Sequence, residues 1–157
     1  MPDGQDNELK TRAREFAEGL AKAVADFDLH TQVTSDEPEN IRISFEGPDS
    51  PMFVGRNGQV LDALQTLASH IINRRSGQRL RITFDADLYR ARREETLIKL
   101  AQDLADQVKS TGQEAVLDPL SPMERRIVHT ALADDPGVQT YSEGEEPDRY
   151  IIISPAE

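Results

Sequence analysis

The segment Gly55-Arg56-Asn57-Gly58 constrains the fold more than any other, because it divides two helical patterns within four residues. Ser50 to Val54 before it has room for one short helical turn, and Gln59 to Arg75 after it carries apolar residues at three- and four-residue spacing. Glycine lacks a Cβ atom and so adopts backbone angles that other residues avoid. We therefore predict a tight turn that joins a short helix to a long amphipathic one.

Alternating apolar residues predict a strand on each side of this pair of helices. Residues 41–45 alternate upstream and residues 80–84 alternate downstream, each with an apolar and a polar face. Further upstream, Leu9 to Phe27 has the spacing of an amphipathic helix, and a tight turn allows the first strand to pair with a weak strand near Val33. Residues 1–8 are expected to form a flexible terminus.

The chain after residue 87 contains a second set of elements. They are a helix from a cap at Asp87 to about Lys109, a short strand at Ala115 to Leu117, a helix from Ser121 to about Ala133, and two strands, Val138 to Tyr141 and Arg149 to Ile153, around an acidic loop at residues 142–148. Ser121-Pro122-Met123-Glu124 has the pattern of a capping box with proline at the first helical position. The junction between the two sets falls within the long helix, so the sequence predicts an α+β protein of two small domains.

The distribution of charge, rather than its total, bears on the partner. The formal net charge of −11 argues against nucleic acid, because phosphate-binding proteins usually have a basic surface. Residues 51–99, however, hold nine basic against five acidic side chains, whereas residues 1–50 hold five against twelve and residues 100–157 hold four against twelve. A local basic surface attracts phosphate over about a Debye length. Because Arg-rich helices are also often paired with their own acids, charge alone leaves the partner open.

The sequence contains no pattern for catalysis or metal binding. Cysteine is absent, which excludes disulfides and thiolate metal sites and agrees with a reducing cytoplasm. His30, His70 and His129 fall on separate predicted elements, and no Ser/His/Asp, zinc or Walker pattern occurs. No run approaches the roughly 20 apolar residues of a membrane-spanning helix. We therefore expect a soluble cytoplasmic protein that is not an enzyme, with no cofactor, no metal and no direct membrane insertion.

The glycine turn has two interpretations. Bare amides at the start of the following helix and its positive dipole end attract phosphate, and Arg56 adds a cation at the tip. An isolated Gly-x-x-Gly is more often only a turn between helices. The surrounding order favours the first interpretation, because strand, short helix, Gly-x-x-Gly, helix and strand resembles a KH domain. The upstream helix and strands resemble the prokaryotic, type II form of that fold.

The KH resemblance, which is closest from Val54 to Gln65, implies a KH domain at residues 9–87. It implies that bases lie in an apolar groove between the following helix and a strand. It also implies that four residues clamp the backbone of about four nucleotides: Gly55, Arg56, Asn57 and Gly58. Asn57 departs from the family pattern, in which this position is often basic, so a charge is lost while hydrogen-bonding capacity remains.

Arg125 and His129 lie four residues apart on the capped helix and therefore on one face. Arginine grips phosphate with two parallel hydrogen bonds, and histidine donates one. By itself such a pair is more often a solvated face or an internal ion-pair partner. The segments Leu120 to His129 and Asp134 to Arg149 resemble an Arg-three-His nucleic-acid-binding domain. This resemblance implies that residues 88–157, including the connecting helix, form that domain and that Arg125 and His129 contact RNA.

A KH domain followed by an Arg-three-His domain is the order of the bacterial Jag family, also called KhpB or EloR, which the chain resembles from about residue 40 to residue 154. The resemblance implies RNA binding and RNA-chaperone activity. We expect single-stranded segments of RNA to be bound, although the sequence leaves the choice between single strand and duplex open. It also implies association with a small single-KH partner protein and an influence on cell shape and envelope synthesis. Many family members carry an additional N-terminal Jag domain and a linker, and we expect 157 residues to leave no room for both.

A protein-interaction adaptor is the alternative. In that hypothesis the KH domain mainly forms dimers, including a homodimer, and the acidic flanks bind basic partners. The acidic residues of the 142–148 loop bear on both hypotheses, because acids beside a phosphate site repel phosphate unless they orient Arg125 or Arg149.

Overall fold

The computed structural model describes residues 3–23, 28–37, 40–76 and 80–156. Helices and strands are mixed in it, which confirms the predicted α+β class. The chain divides into two compact units, Met1–Arg90 and Ala91–Glu157. The elements are α1 (Asp3–Ala23), β1 (His30–Glu37), β2 (Asn40–Glu46), α2 (Pro51–Val54), a 3₁₀ turn (Arg56–Gly58), α3 (Gln59–Ser76), β3 (Arg81–Ala86), α4 (Tyr89–Thr111), β4 (Ala115–Val116), α5 (Pro122–Leu132), β5 (Val138–Glu143) and β6 (Tyr150–Pro155).

Strand β2 is the centre of the first sheet, whose order is β1-β2-β3. Strand β1 runs antiparallel to β2, as the predicted hairpin requires, and β3 runs parallel to it. A parallel pair needs a long crossover connection, which α2, the glycine turn and α3 supply. The alternating residues Ile43 and Phe45 are buried, Phe45 stacks on Phe84 with 5.9 Å between ring centroids, and Leu61 of α3 belongs to the same core. The glycine turn is therefore anchored on both sides by buried apolar residues.

Helix α1 begins at Asp3, six residues before the predicted start at Leu9, so residues 3–8 are helical rather than a flexible terminus. Arg12 donates a 2.6 Å hydrogen bond to Glu8 one turn earlier, and this pair supports the beginning of the helix. Residues 24–27, where the predicted helix was expected to end, lie outside the described part of the chain.

The cap of helix α4 differs from the prediction. Asp87 and Leu88 both have left-handed backbone angles, with φ of 45° and 58°. The Asp87 carboxylate accepts a hydrogen bond from the Ser50 hydroxyl, while Asp85 Oδ1 accepts one from the backbone amide of Arg90 at 3.2 Å. Asp85 rather than Asp87 therefore satisfies a first-turn amide of α4, because the two left-handed residues bring the chain back over its own strand end.

Strand β6 is the centre of the second sheet, whose order is β4-β6-β5 with antiparallel pairing on both sides. Alternate β6 residues Ile151 and Ile153 join the apolar residues of α4 and α5 in one core. The predicted capping box is confirmed: the Ser121 hydroxyl accepts from the Glu124 amide at 3.3 Å, and the Glu124 carboxylate accepts from the Ser121 amide at 3.0 Å. Among the described residues, no helix is long and apolar enough to cross a membrane.

Candidate nucleic-acid interface

The backbone angles of the glycine turn restrict which residues can occupy it. Gly55 has φ 67° and ψ −165°, a conformation that is essentially restricted to glycine. A Cβ atom at this position would lie 2.4 Å from Val60 Cγ2, closer than any real contact. Asn57 follows with φ 52° and ψ 31°, the left-handed region in which asparagine is enriched, and Gly58 has φ 82°. The sequence therefore produces one defined loop rather than a flexible linker.

The outer part of this loop is open to solvent. Gly55, Arg56 and Asn57 are exposed, whereas Gly58 is buried, and a Cβ atom at Gly58 would lie 3.1 Å from Tyr89 Cε1. Gly55 occupies the N-cap position of the 3₁₀ turn, and within the described part of the chain this turn has no side-chain capping hydrogen bond. None of the ion pairs found among the described residues includes Arg56. The loop therefore combines an exposed backbone turn with a solvent-exposed cation.

A groove of about 880 Å³ runs beside this helix, between α3 and the beginning of β3. Its lining residues are Gln65, Ser69, His70, Ile71, Asn73, Arg74, Leu80, Arg81 and Ile82. The Asn73 side chain joins its two walls, because Asn73 Oδ1 accepts from the Leu80 amide at 2.8 Å and Asn73 Nδ2 donates to the Leu80 carbonyl at 3.0 Å. Arg74 and Arg81 are both exposed at the groove. Residues 77–79, which connect the two walls, are outside the described ranges.

Part of the positive charge of residues 51–99 is neutralised within the fold. Arg90 donates through Nε to the Phe84 carbonyl at 2.9 Å and through Nη2 to Asp62 at 2.9 Å and Gln65 at 3.3 Å. Arg93 donates through Nε to Glu124 at 2.7 Å. These arginines brace helices, so the basic surface available to a ligand is smaller than the sequence count indicates.

In the second unit, Arg125 is buried, with 7% of its surface exposed. Its Nη1 donates to the Leu120 carbonyl at 2.7 Å, and its Nη2 donates to Glu146 Oε1 at 2.5 Å. Arg125 thus forms the internal ion pair that the sequence left open as the alternative to a solvated face. Glu146, from the acidic loop, orients the guanidinium.

His129 lies between α5 and strand β5. Its Nδ1 is 2.6 Å from Thr140 Oγ1 and its Nε2 is 3.0 Å from Ser142 Oγ. Burial lowers the pKa of His129 below its ordinary value of 6.5, and the positive charge of Arg125 lowers it further. The imidazole is therefore predominantly neutral at neutral pH. It contacts two hydroxyl groups that also lie on the α5 side of the sheet.

Arg125 and Arg149 differ in their hydrogen-bond partners near the acidic loop. Arg125 has a carboxylate partner, whereas Arg149 Nε is buried without a hydrogen-bond partner in the described structure. Among the described residues, no group of three or more His, Asp or Glu side chains is placed to hold a metal ion. The second site is therefore composed of hydrogen-bonding side chains and one oriented cation.

Comparison with known proteins agrees with this geometry. The family model described as KhpA/KhpB, KH domain matches residues 11–84, and the model of the Arg-three-His domain matches residues 95–155. The chain is 40% identical over 147 residues to a protein of Clostridium symbiosum named RNA-binding protein KhpB, covering 93% of this chain and 66% of that protein. It is 36% identical over 146 residues to the protein of the same name from Bacillus subtilis, covering 91% and 69%. The chain belongs to the KhpB family.

The chain spans about two thirds of the length of those two relatives. It spans 45% of the RNA-binding protein KhpB of Streptococcus pneumoniae, to which it is 30% identical over 147 residues. The KH and Arg-three-His domains of the family are both present, in the predicted order. Neither matched family nor any of these relatives is named as an enzyme.

Sequence reasoning missed several residues of the candidate sites. Thr140 and Ser142 contact His129, but only the alternation of β5 indicated that they share a face. Tyr89 packs on Gly58 from 31 residues downstream, and no local pattern predicts this contact. The structure brings Gly55 to Gly58 together in one loop and Arg125 and His129 together on one helix face.

Proposed function

We propose that this chain binds single-stranded RNA through the Gly55–Gly58 loop, through the groove farther along α3, and through the Arg125–His129 face of the second unit. The observation that carries the proposal is the exposed Gly55–Gly58 loop at the start of α3, the helix whose later residues, from Gln65 to Arg74, line the groove. The names of the relatives, RNA-binding protein KhpB, support the same ligand class.

The loop interacts with the backbone of the nucleic acid in this proposal. Gly55, Arg56 and Asn57 are exposed to a sugar-phosphate chain, and amides at the start of α3 together with the helix dipole attract a phosphate. Arg56 adds a charge-assisted hydrogen bond. Bases lie in the groove, whose mixed walls offer Ile71 for apolar contact and Arg74 for stacking.

The second unit adds a weaker contact. Arg125 and His129 contact a phosphate in this proposal. Neutral His129 has a single N–H, and because both ring nitrogens lie against the Thr140 and Ser142 hydroxyl groups, this N–H must leave a hydroxyl group to reach the phosphate. Two sites joined by one chain raise the effective concentration of an RNA at the second site once it occupies the first. This is the arrangement we expect for an RNA chaperone, which holds strands without locking them in one structure.

We further propose the biological setting that the family resemblance implies. The chain acts in the cytoplasm on cellular RNA, together with a small single-KH partner protein, and influences cell shape and envelope synthesis. It is not an enzyme in this proposal, and no catalytic residue, metal or cofactor takes part.

The first test reverses the charge of the loop without straining it. Arg56→Glu is exposed, and Asn57→Asp keeps a residue that tolerates the left-handed region. We expect the double variant to lose at least about tenfold in affinity for a fluorescent single-stranded RNA, because two like charges face phosphate. The glycines are poorer targets, since the Val60 contact makes any side chain at Gly55 a change of fold as well as of charge.

Arg14→Glu is the matched control, since Arg14 is exposed on helix α1 and outside the proposed site. It changes net charge by the same sign, and we expect at most about a twofold loss because an exposed distant charge is screened by salt. Equal losses in the loop variant and the control would reject the loop as the binding site.

A dimerisation adaptor is the second candidate, and one observation favours it. Val60, Leu67 and Ile71 lie on one side of α3 at spacings of seven and four, and all three are exposed, Leu67 by 50%. An apolar helix stripe of this kind fits a second KH domain, either from another copy or from the single-KH partner. Leu67→Glu separates the candidates, because it should abolish dimers in light scattering while single-stranded RNA binding by the monomer persists.

A further inference from the structure

The ion pair between Arg125 and Glu146 is unequal in its exposure. The Arg125 side chain is 9% exposed, whereas the Glu146 side chain is 51% exposed. On its other side the guanidinium is fixed by the buried hydrogen bond from Nη1 to the Leu120 carbonyl. The cation is therefore held in place by the fold, while the anion that neutralises it sits at the surface.

Glu124, an acidic residue of α5 itself, is more buried than Glu146 and has more hydrogen-bond partners. Glu124 is 8% exposed at its side chain, bonds to Arg93 Nε at 2.7 Å and accepts the Ser121 amide in the capping box. Its removal would leave two donors without partners. In the described structure the Glu146 side chain accepts one hydrogen bond, from Arg125. Glu146 belongs to an exposed turn that is closed by a hydrogen bond from the Asp148 amide to the Glu145 carbonyl at 2.9 Å.

Carboxylate and phosphate oxygens are interchangeable partners for a guanidinium, because both form short charge-assisted hydrogen bonds with its N–H groups. An anion also stabilises a buried arginine, since a buried charge without any partner is costly. A site with a fixed arginine and a surface carboxylate can therefore exchange that carboxylate for a phosphate without changing the core.

We propose that Glu146 occupies an anion site at Arg125 as an internal substitute for phosphate, and that a phosphate group of bound RNA replaces it. The inference rests on the proposed RNA binding and adds that the second unit is held in a self-occupied state until a strand displaces the loop. It also gives the acidic loop a role: Glu146 lowers affinity for weakly bound anions, and only a polyanion anchored elsewhere on the chain displaces it efficiently.

The test compares two neighbouring glutamates. Glu146→Gln removes the competing charge yet keeps an amide oxygen that can accept from Arg125, so the fold is retained. Glu145→Gln removes the same charge one residue away, from an exposed side chain with no hydrogen bond or ion pair in the described structure. We expect Glu146→Gln to bind single-stranded RNA about fivefold more tightly than Glu145→Gln, the ratio that corresponds to one partly exposed charge pair.

A second measurement keeps the two proposals separable. In the Glu146→Gln protein, titration with inorganic phosphate should shift the NMR resonance of the Arg125 side-chain N–H at lower phosphate concentration than in the parent protein. If the parent binds no RNA but this shift occurs, the anion site stands and the RNA proposal fails. If RNA binds but Glu146→Gln equals Glu145→Gln or binds more weakly, the displacement proposal is overturned, because Glu146 then adds only net charge or positions Arg125.

Discussion

Replacing Gly55 by alanine tests whether the loop conformation is set by the absence of a side chain. The new Cβ would lie 2.4 Å from Val60 Cγ2 and 3.2 Å from the Val60 backbone nitrogen. It would also place a non-glycine residue at φ 67° and ψ −165°. Both effects oppose the native loop, so we expect Gly55→Ala to lower the free energy of unfolding of the first unit.

The magnitude follows from two contributions. Holding alanine in a glycine-restricted backbone region costs of order 1–3 kcal/mol. Inserting a methyl group into filled space costs about 1–3 kcal/mol more, at the low end here because Val60 is partly exposed and its side chain can move. Alanine also restricts the unfolded chain, which offsets roughly 0.4–1 kcal/mol. The expected net loss is about 1–4 kcal/mol.

Gly112 provides the matched control. It has φ 69°, close to that of Gly55, yet a Cβ there would meet no atom within 4 Å. Gly112→Ala should therefore cost only about 1 kcal/mol, the penalty of the left-handed region alone. In addition, Val60→Ala removes the clashing Cγ2 atom, so Gly55→Ala combined with Val60→Ala should lose less than the two single losses added together.

Urea unfolding followed by circular dichroism measures these differences. Equal losses for Gly55→Ala and Gly112→Ala would refute the steric argument, because only Gly55 has a neighbour in contact. Strict additivity of Gly55→Ala and Val60→Ala would refute it as well, since the clash requires both side chains.

Two further predictions concern contacts that hold the candidate sites. Because the pKa of His129 is lowered in the fold, the unfolded chain binds the proton more readily, and the stability contributed by neutral His129 is present above pH 6.5 and is lost as pH falls below that value. The drop in melting temperature from about pH 7.5 to 5.5 should therefore be smaller in His129→Gln than in the parent. An equal drop in both proteins would contradict the lowered pKa of His129. Asn73→Ala removes two hydrogen bonds to the Leu80 backbone and should lower the free energy of unfolding, measured with urea, by about 1–3 kcal/mol. Hydrogen exchange of the Leu80 amide should become faster in this variant. Unchanged protection of that amide would mean that the Asn73 side chain does not hold the two walls of the groove together.

Periodic apolar residues made most of the fold predictable. Residues 41–45 and 80–84 alternate because one face of each strand is buried, and both strands occur where the pattern indicated. The capping box at Ser121 is a local pattern of four residues, so it too was visible in the sequence. The parallel pairing of β2 with β3 was not, because period-two patterning carries no information on strand direction.

The sequence predicted which residues form the candidate sites, but not their burial or their hydrogen-bond partners. The glycine spacing located the loop, since the backbone angles it needs are rare in other residues. The burial of Arg125 depends on Glu146, 21 residues away in the chain, and on the Leu120 carbonyl, which no spacing rule connects to it. The capping of α4 by Asp85 likewise depends on Asp87 and Leu88, two consecutive non-glycine residues with left-handed backbone angles. Tertiary contacts such as the hydrogen bond between Ser50 and Asp87 stabilise these angles, and no local sequence pattern predicts them.

Mapping backbone amide shifts by NMR during titration with a short single-stranded RNA tests the central claim most directly. The account predicts that the amide resonances of Arg56, Asn57 and Gly58 and of the first turn of α3 shift together and saturate first, with those of the groove wall at Leu80 following the same curve. Shifts confined to other parts of the chain, with the loop amides unmoved at saturation, would contradict it.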